Sequence, residues 1–497
     1  MSQVEVESNL AEPAEAVPET ESMGETLRTM LGRAQGLVGA FWVRFVGVWV
    51  LLYWQGFCLI LFPAFHDLTD KYVHIWDAPT SWFAAHILRI GHPVIRLPSR
   101  GSDTEFDWTQ DLFFVVLAVL VAGLWTVLRR NSPPGPRSQA WVTLVLRLVL
   151  GTQLALYGIT KVIPAQFIPP TPSDLVVRFG WQSLHAMYWA SIEAAPTGYQ
   201  IFLGVVEVVT GILLVLPRLW VFGTALAVMA TVQVVLVNVA FDVAVKMHST
   251  HLMVMALILF LPHSRRIWNA LAANRRVDPL PQRAFTPSRS ADRVIAIVAV
   301  MIFALSTAVA GIQAAAILSI RGPHAATPPL MGAWRAEDRT SPIEYFVVDG
   351  YTTPARTSYV DPQHALVTVM LALSDGSQKV WDGMITPAEH RIALIKPPAP
   401  ANAGSKDWPL QFHYEQPSAS LLKISGAWEG AKEEQLAFDQ IDLSKLPLSD
   451  RTIHWINQAQ LYTPCRCDAV MGIRAQPRCP ADRCPLPPIR GEQTPSR

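Results

Sequence analysis

Three ionisable residues stand inside otherwise apolar stretches: Arg147 and Lys161 within residues 140–163, and Glu207 within 199–216. A charge at the centre of a membrane span costs about 2.5–3.5 kcal/mol on insertion scales, so each needs a partner or a water-filled site. At about 1.5 Å of rise per residue, Arg147 lies roughly 10 Å from the inner end of its helix, and Glu207 roughly 14 Å from the inner end of the next, antiparallel helix. These depths predict an Arg147–Glu207 ion pair and leave Lys161 near the outer boundary.

A second polar cluster falls at that boundary. Tyr157 and Lys161 are four residues apart and share a helix face, as do Asn238 and Asp242 at the end of the apolar run 219–241. Lys246, His248 and His251 follow where the chain turns back. By depth, Lys161 matches Asp242. A tyrosine, a lysine, a carboxylate and a histidine around an outward-opening pocket suit a polar headgroup, a quinone ring or a proton relay. The same charges could instead lock helices together or snorkel at an interface.

The elements that must position these groups follow from composition. The chain has 497 residues, 51% apolar and only 16% charged, against roughly 25% charged in soluble domains. A net charge of +1 gives no reason to expect a nucleic-acid partner. A bilayer core needs roughly 20 apolar residues in helix. The runs 45–65, 112–128, 140–163, 199–216, 219–241 and 294–320 qualify, and 249–261 qualifies when extended back through Lys246. This predicts about seven membrane-spanning helices.

Charge distribution sets their direction. Arg129, Arg130 and Arg137, and then Arg265, Arg266, Arg275, Arg276, Arg283, Arg289 and Arg293, all fall on one side. The loop 66–111 on the other side carries Asp67, Asp70, Asp77, Asp103, Glu105 and Asp107. The expected arrangement has a disordered, acidic cytoplasmic tail over 1–37 and a transmembrane domain over 38–320. Everything after Ile320 then lies outside the cytoplasm, in the periplasm if the membrane is a bacterial inner membrane. Trp82, Phe83, Ile87, Leu88 and Ile90 suggest an interfacial helix in the first outer loop.

Past a linker (321–328) the texture changes to short β-type runs punctuated by turn residues, which predicts a soluble β-rich sheet or small barrel over 329–456. Gly332-Ala333-Trp334 resembles the start of lipocalin-like barrels, which would suit capture of a small apolar or lipid-like molecule. Residues 457–497 read as a disordered Pro- and Arg-rich tail. Its Cys465, Cys467, Cys479 and Cys484 are read as an incidental tail feature, with two disulfides or a zinc site as alternatives. No metal site is assigned. No histidine pair suited to haem lies inside a span, no C-x-x-C adjoins a membrane helix, and no P-loop, G-x-S-x-G or H-E-x-x-H occurs.

Several segments together resemble the DoxX-like family of bacterial integral membrane proteins. They are Leu146-Arg147-Leu148, Tyr157-Gly158-Ile159-Thr160-Lys161, Phe202-Leu203-Gly204 with Glu207 and Gly211, and Asn238, Phe241-Asp242-Val243, Lys246, Ser249 and His251. An outer-loop element, Gly101-Ser102-Asp103-Thr104-Glu105-Phe106-Asp107-Trp108, and His454-Trp455-Ile456-Asn457 after the β-rich region extend the likeness over most of 41–457. The resemblance implies a four-helix core carrying Arg147, Lys161 and Glu207 at the family's charged positions, and a link to redox or sulfur metabolism. The extra helices and the β-rich domain depart from the simple pattern. The leading expectation is a membrane component of a redox-linked system, exchanging electrons with a partner protein or a diffusible quinone and without stand-alone catalysis. Alternatives are a binding or transport protein for a lipid-like ligand, and a scaffold.

Overall fold

The computed structural model describes residues 19–54, 71–96, 103–131, 134–279, 284–338, 340–350, 365–397, 408–427, 433–446, 449 and 451. The cysteine-bearing tail, the His454–Asn457 motif and Gly101-Ser102 lie outside them. The chain divides into two units, one of residues 1–99, 104–146 and 278–295, the other of 100–103, 147–277 and 296–497.

In the first unit, α1 (Glu19–Tyr53) begins inside the stretch expected to be disordered. Among the described residues its apolar part is Gly36–Tyr53; residues 55–65 of the predicted run lie outside them. Arg44 lies 5.6 Å from the ring of Trp125 on α3 (Glu105–Leu128). The short helix α2 (Asp77–His86) exposes Trp82 and turns Phe83 and Ala84 inward, where Ala84 packs with Val94 and Phe106. Two histidines here pair with carboxylates: His74 with Asp77 at 2.6 Å, and His92 with Glu105 at 2.9 Å.

Four helices dominate the second unit's apolar part: α4 (Pro136–Val162, shared with the first unit), α7 (Thr197–Val215), α8 (Trp220–Ala240) and α9 (Lys246–Phe260). Between α4 and α7 come the short helices α5 (Pro172–Val176) and α6 (Leu184–Ala194), with a 3-10 turn at Phe179–Trp181. After α9 a 3-10 turn (Leu261–His263) leads into α10 (Ser264–Leu271), and α11 (Arg289–Arg321) precedes the β-rich region. Among the described residues six helices are long and apolar enough to cross a membrane: α1, α3, α4, α7, α8 and α11. At 15 residues, α9 falls short of that length. Large apolar side chains stand outward along these helices, for example Phe202 at 63% exposure and Met229 at 69%. The chain is a multi-pass membrane protein.

The soluble region is a closed barrel of eight antiparallel strands joined in sequence order: β1 (Gly332–Ala336), β2 (Ile343–Gly350), β3 (Ala365–Leu373), β4 (Gln378–Thr386), β5 (Arg391–Ile395), β6 (Leu410–Ser418), β7 (Leu421–Ala427) and β8 (Glu433–Gln440). Closure comes from β1 pairing β8, with Trp334 opposite Phe346 on one side and Gln440 on the other. Alternation sends Phe346, Val369, Ile385, Leu394, Leu422 and Phe438 into one cluster. Large side chains occupy that interior, Trp334, Phe346, Phe412 and Phe438 among them, and a Cβ on Gly426 would stand 2.5 Å from Phe412.

Candidate functional site

The helices α4 and α7 run antiparallel with glycine set against glycine. A Cβ on Gly204 would lie 2.5 Å from the carbonyl oxygen of Gly158, and one on Gly211 2.5 Å from that of Gly151. Both pairs are seven residues apart along each helix, so they fall on the facing stripe. Such close backbone approach is a common way for membrane helices to associate by packing alone.

This register places Arg147 beside the last turn of α7, where helix carbonyls lack intrahelical partners. Its Nε donates to the carbonyl of Leu214 at 2.8 Å, its Nη2 donates to that of Val215 at 3.0 Å, and its guanidinium lies 4.9 Å from the Trp220 ring. Arg147 is a helix C-cap, and the expected Arg147–Glu207 pair does not form. Lys161 takes Glu207 instead, its Nζ donating to Oε2 at 2.6 Å, with side chains only 11% and 10% exposed. The reason is direction. Side chains lean toward the N-terminus of their own helix. In an antiparallel pair Lys161 therefore leans inward and Glu207 outward, toward each other. Arg147 and Glu207 lean apart.

The second expected pair, Lys161 with Asp242, is also absent. Asp242 is 76% exposed, adopts a left-handed backbone (φ 52°) and accepts from Lys246 Nζ at 2.7 Å. That contact holds its carboxyl below the usual carboxylate range. Asn238 ties off the α8–α9 turn: its carbonyl accepts from Val243 N–H at 2.9 Å, and its Nδ2 lies 3.5 Å from the Val245 carbonyl. Asp103 accepts from the backbone N–H groups of Lys246 (2.8 Å) and Met247 (3.0 Å), capping the first turn of α9 from far away in sequence. Asp107 serves α3 in the same way, in a capping box with Thr104. Asp103 and Asp107 thus both act as helix caps.

What gathers around the Lys161–Glu207 pair is narrower than the expected cluster. The Tyr157 ring centroid lies 5.9 Å from Lys161 Nζ and 5.7 Å from the His248 ring. The buried His251 places Nδ1 2.8 Å from the Met247 carbonyl. From outside the helix bundle, α6 contributes Tyr188, which packs on Phe241 with ring centroids 5.0 Å apart. Burial first, then Tyr199 and Glu207, raise the Tyr188 phenol above its usual range. On the same helix, His185 is lowered by burial and lies within electrostatic range of Asp242 and Lys246. Sequence reasoning passed over Tyr188 and His185; their only signal was an aromatic-rich stretch in a loop. An ammonium carries three donors, and Glu207 occupies one, so this site can hold the acceptor oxygens of a small polar group beside a carboxylate and a phenol. Among the described residues no cluster of three or more metal-ligating side chains forms.

No family model matches the chain, and no solved structure matches it. Among curated proteins, the uncharacterised protein YwoB of Bacillus subtilis (strain 168) is 29% identical over 143 residues, covering 29% of this chain and 87% of the relative. The similarity thus takes in nearly all of that smaller protein and under a third of this one.

Proposed function

We propose that this chain crosses a bacterial cytoplasmic membrane seven times, with its N-terminus inside and its barrel outside. It serves there as the DoxX-like membrane component of a redox-linked system, and the Lys161–Glu207 site takes a quinone-type headgroup. The electrons come from a partner protein.

Parity supports the seventh crossing. Residues between α4 and α7 touch the barrel that follows α11: Ser173 N–H donates to Asp349 Oδ1 at 3.1 Å, and Arg178 pairs with Glu344 at 2.5 Å. The C-terminal ends of α4 and α11 then share a side, which requires an even number of crossings from one to the other; α7, α8 and α11 make three, and α9 makes the fourth. Its 15 residues reach about 22 Å, and the 3-10 turn after it brings the length to nearly 30 Å. The basic loops support the direction.

One observation carries the ligand reading. The α4–α7 contact is already set by four glycines, so a buried ion pair is not needed to hold these helices together. Buried pairs are weak evidence for stability, since desolvation offsets most of their attraction. A retained ion pair at this depth is better accounted for by something it binds.

The test is quinone content of the full chain purified in mild detergent. Quinone is expected to be retained by the wild type and lost in Lys161→Ala and in Glu207→Gln. Equal quinone in the wild type and both variants, or none in any of them, overturns the reading.

A further inference from the structure

The segment from Thr171 to Ala195 is held on two sides. Its first half is gripped by the barrel. Beyond the Ser173–Asp349 and Arg178–Glu344 contacts, Val176 and Val177 pack on an outer barrel patch of Ala333, Tyr345, Val347 and Met370. Trp181 lies flat against the β3–β4 turn, where a Cβ on Gly376 would come within 2.5 Å of its Nε1. Gly376 has φ +92°, a conformation glycine adopts freely, so the turn both bends there and leaves room for the indole.

The second half lies toward the ion-pair site. Tyr188 packs on Phe241 and lies within electrostatic range of Glu207, His185 lies within such range of Asp242 and Lys246, and Trp189 packs on Phe167 with ring centroids 4.9 Å apart. At its end the segment meets the chain that follows the barrel, where Arg451 donates to the carbonyl of Ala195 at 3.2 Å.

We infer that α5 and α6 form a coupling element through which the barrel's grip sets access to the Lys161–Glu207 site. In the loop between α4 and α7, α5 and the Phe179–Trp181 turn touch the barrel, whereas α6, which buries only Ile192 fully, rests against α7 and α8. A shift of the barrel-held half therefore carries α6 with it. A partner engaging the barrel's α5-facing side would compete for Glu344 and the Gly376 turn, releasing α6 from the site. This rests on the proposed ligand site only for the identity of what is covered.

The experiment is cysteine labelling of the full chain in detergent, with the five native cysteines replaced by serine and Phe241→Cys, beneath Tyr188, as reporter for a bulky polar maleimide. Arg178→Glu sets like charges against Glu344 and is expected to raise the labelling rate about fivefold. Trp181→Ala is expected to act in the same direction. Adding Glu344→Arg to Arg178→Glu restores the pair in reverse and is expected to return the rate to the starting value, a recovery that misfolding would not show. Labelling at the starting rate in both Arg178→Glu and Trp181→Ala overturns the inference, as does a reversed pair that labels as fast as Arg178→Glu alone. Quinone measured in the same preparations separates the two readings, because coupling can fail while wild-type quinone is retained, and the reverse.

Discussion

The barrel and the helices around Lys161 are built inside out with respect to each other. The barrel turns Phe346, Leu394, Leu422 and Phe438 inward at 0% exposure. Along β6 and β8 it shows water Glu415 and Asp439. The helices bury Arg147, Lys161 and Glu207 at 7–8% exposure while Phe202, Met229 and Leu236 stand above 60%. One chain uses both rules because it meets two solvents. Against water, the hydrophobic effect fills the barrel. Against lipid there is no such force between helices, so α4 and α7 associate through glycine contacts and polar bonds.

The largest effect expected from this contrast is at Lys161. Lys161→Ala leaves Glu207 buried without its ammonium, and breaking one partner of a buried pair costs about 3–5 kcal/mol. Lys161→Met with Glu207→Leu is expected to come back close to wild-type stability, because the glycine contacts persist. Thermal unfolding in detergent reads both. A double variant as unstable as the single would show that the pair holds the helices after all, and the distinction between lipid-facing and water-facing assembly would narrow.

In the barrel the same logic runs through volume. Leu422→Ala opens a cavity in the interior and is expected to cost about 3 kcal/mol, lowering the barrel's unfolding midpoint in denaturant. A change under about 1 kcal/mol would mean that the interior has slack to collapse into, and would favour a ligand chamber.

Much of this was legible because periodicity reports solvent. The apolar runs at 199–216 and 219–241 match α7 and α8 within two residues at each end, and all eight strands fall inside the region 329–456 expected to be β-rich. β8 shows little alternation, since its inward Leu436 and Phe438 stand among charged neighbours. The ion pairs were misread for a different reason. Depth along a helix can be counted, but the lean of a side chain depends on chain direction, and that alone exchanges Arg147 for Lys161 as the partner of Glu207. Asp103 was legible as a motif and illegible as a cap, since α9 begins 143 residues later.

The smallest effect lies where the two regions meet, at Asp349. This carboxylate is 4% exposed, and burial pushes it from 3.8 up to about 6 against the pull of hydrogen bonds from Ser173 and Thr171, with Asp174 adding to the rise. A carboxyl raised in the folded state binds its proton more tightly folded than unfolded. Its contribution is therefore complete below about pH 4 and is lost as pH climbs to about 6. The rise from 3.8 to about 6 sets an upper bound of roughly 3 kcal/mol on the loss across that window. Glu193, pushed up to about 7 by burial, adds a slope of the same sign at slightly higher pH. Asp349→Asn removes one titration and leaves the other. Unfolding midpoints of the full chain at pH 4, 5, 6 and 7 should therefore fall less steeply in the variant than in the wild type, with the curves diverging below pH 6. Parallel curves would mean that Asp349 titrates alike in the folded and unfolded chain, the hydrogen bonds from Ser173 and Thr171 offsetting burial. The contact between barrel and α5 would then be indifferent to pH, where a buried, protonated carboxyl makes it loosen as pH rises.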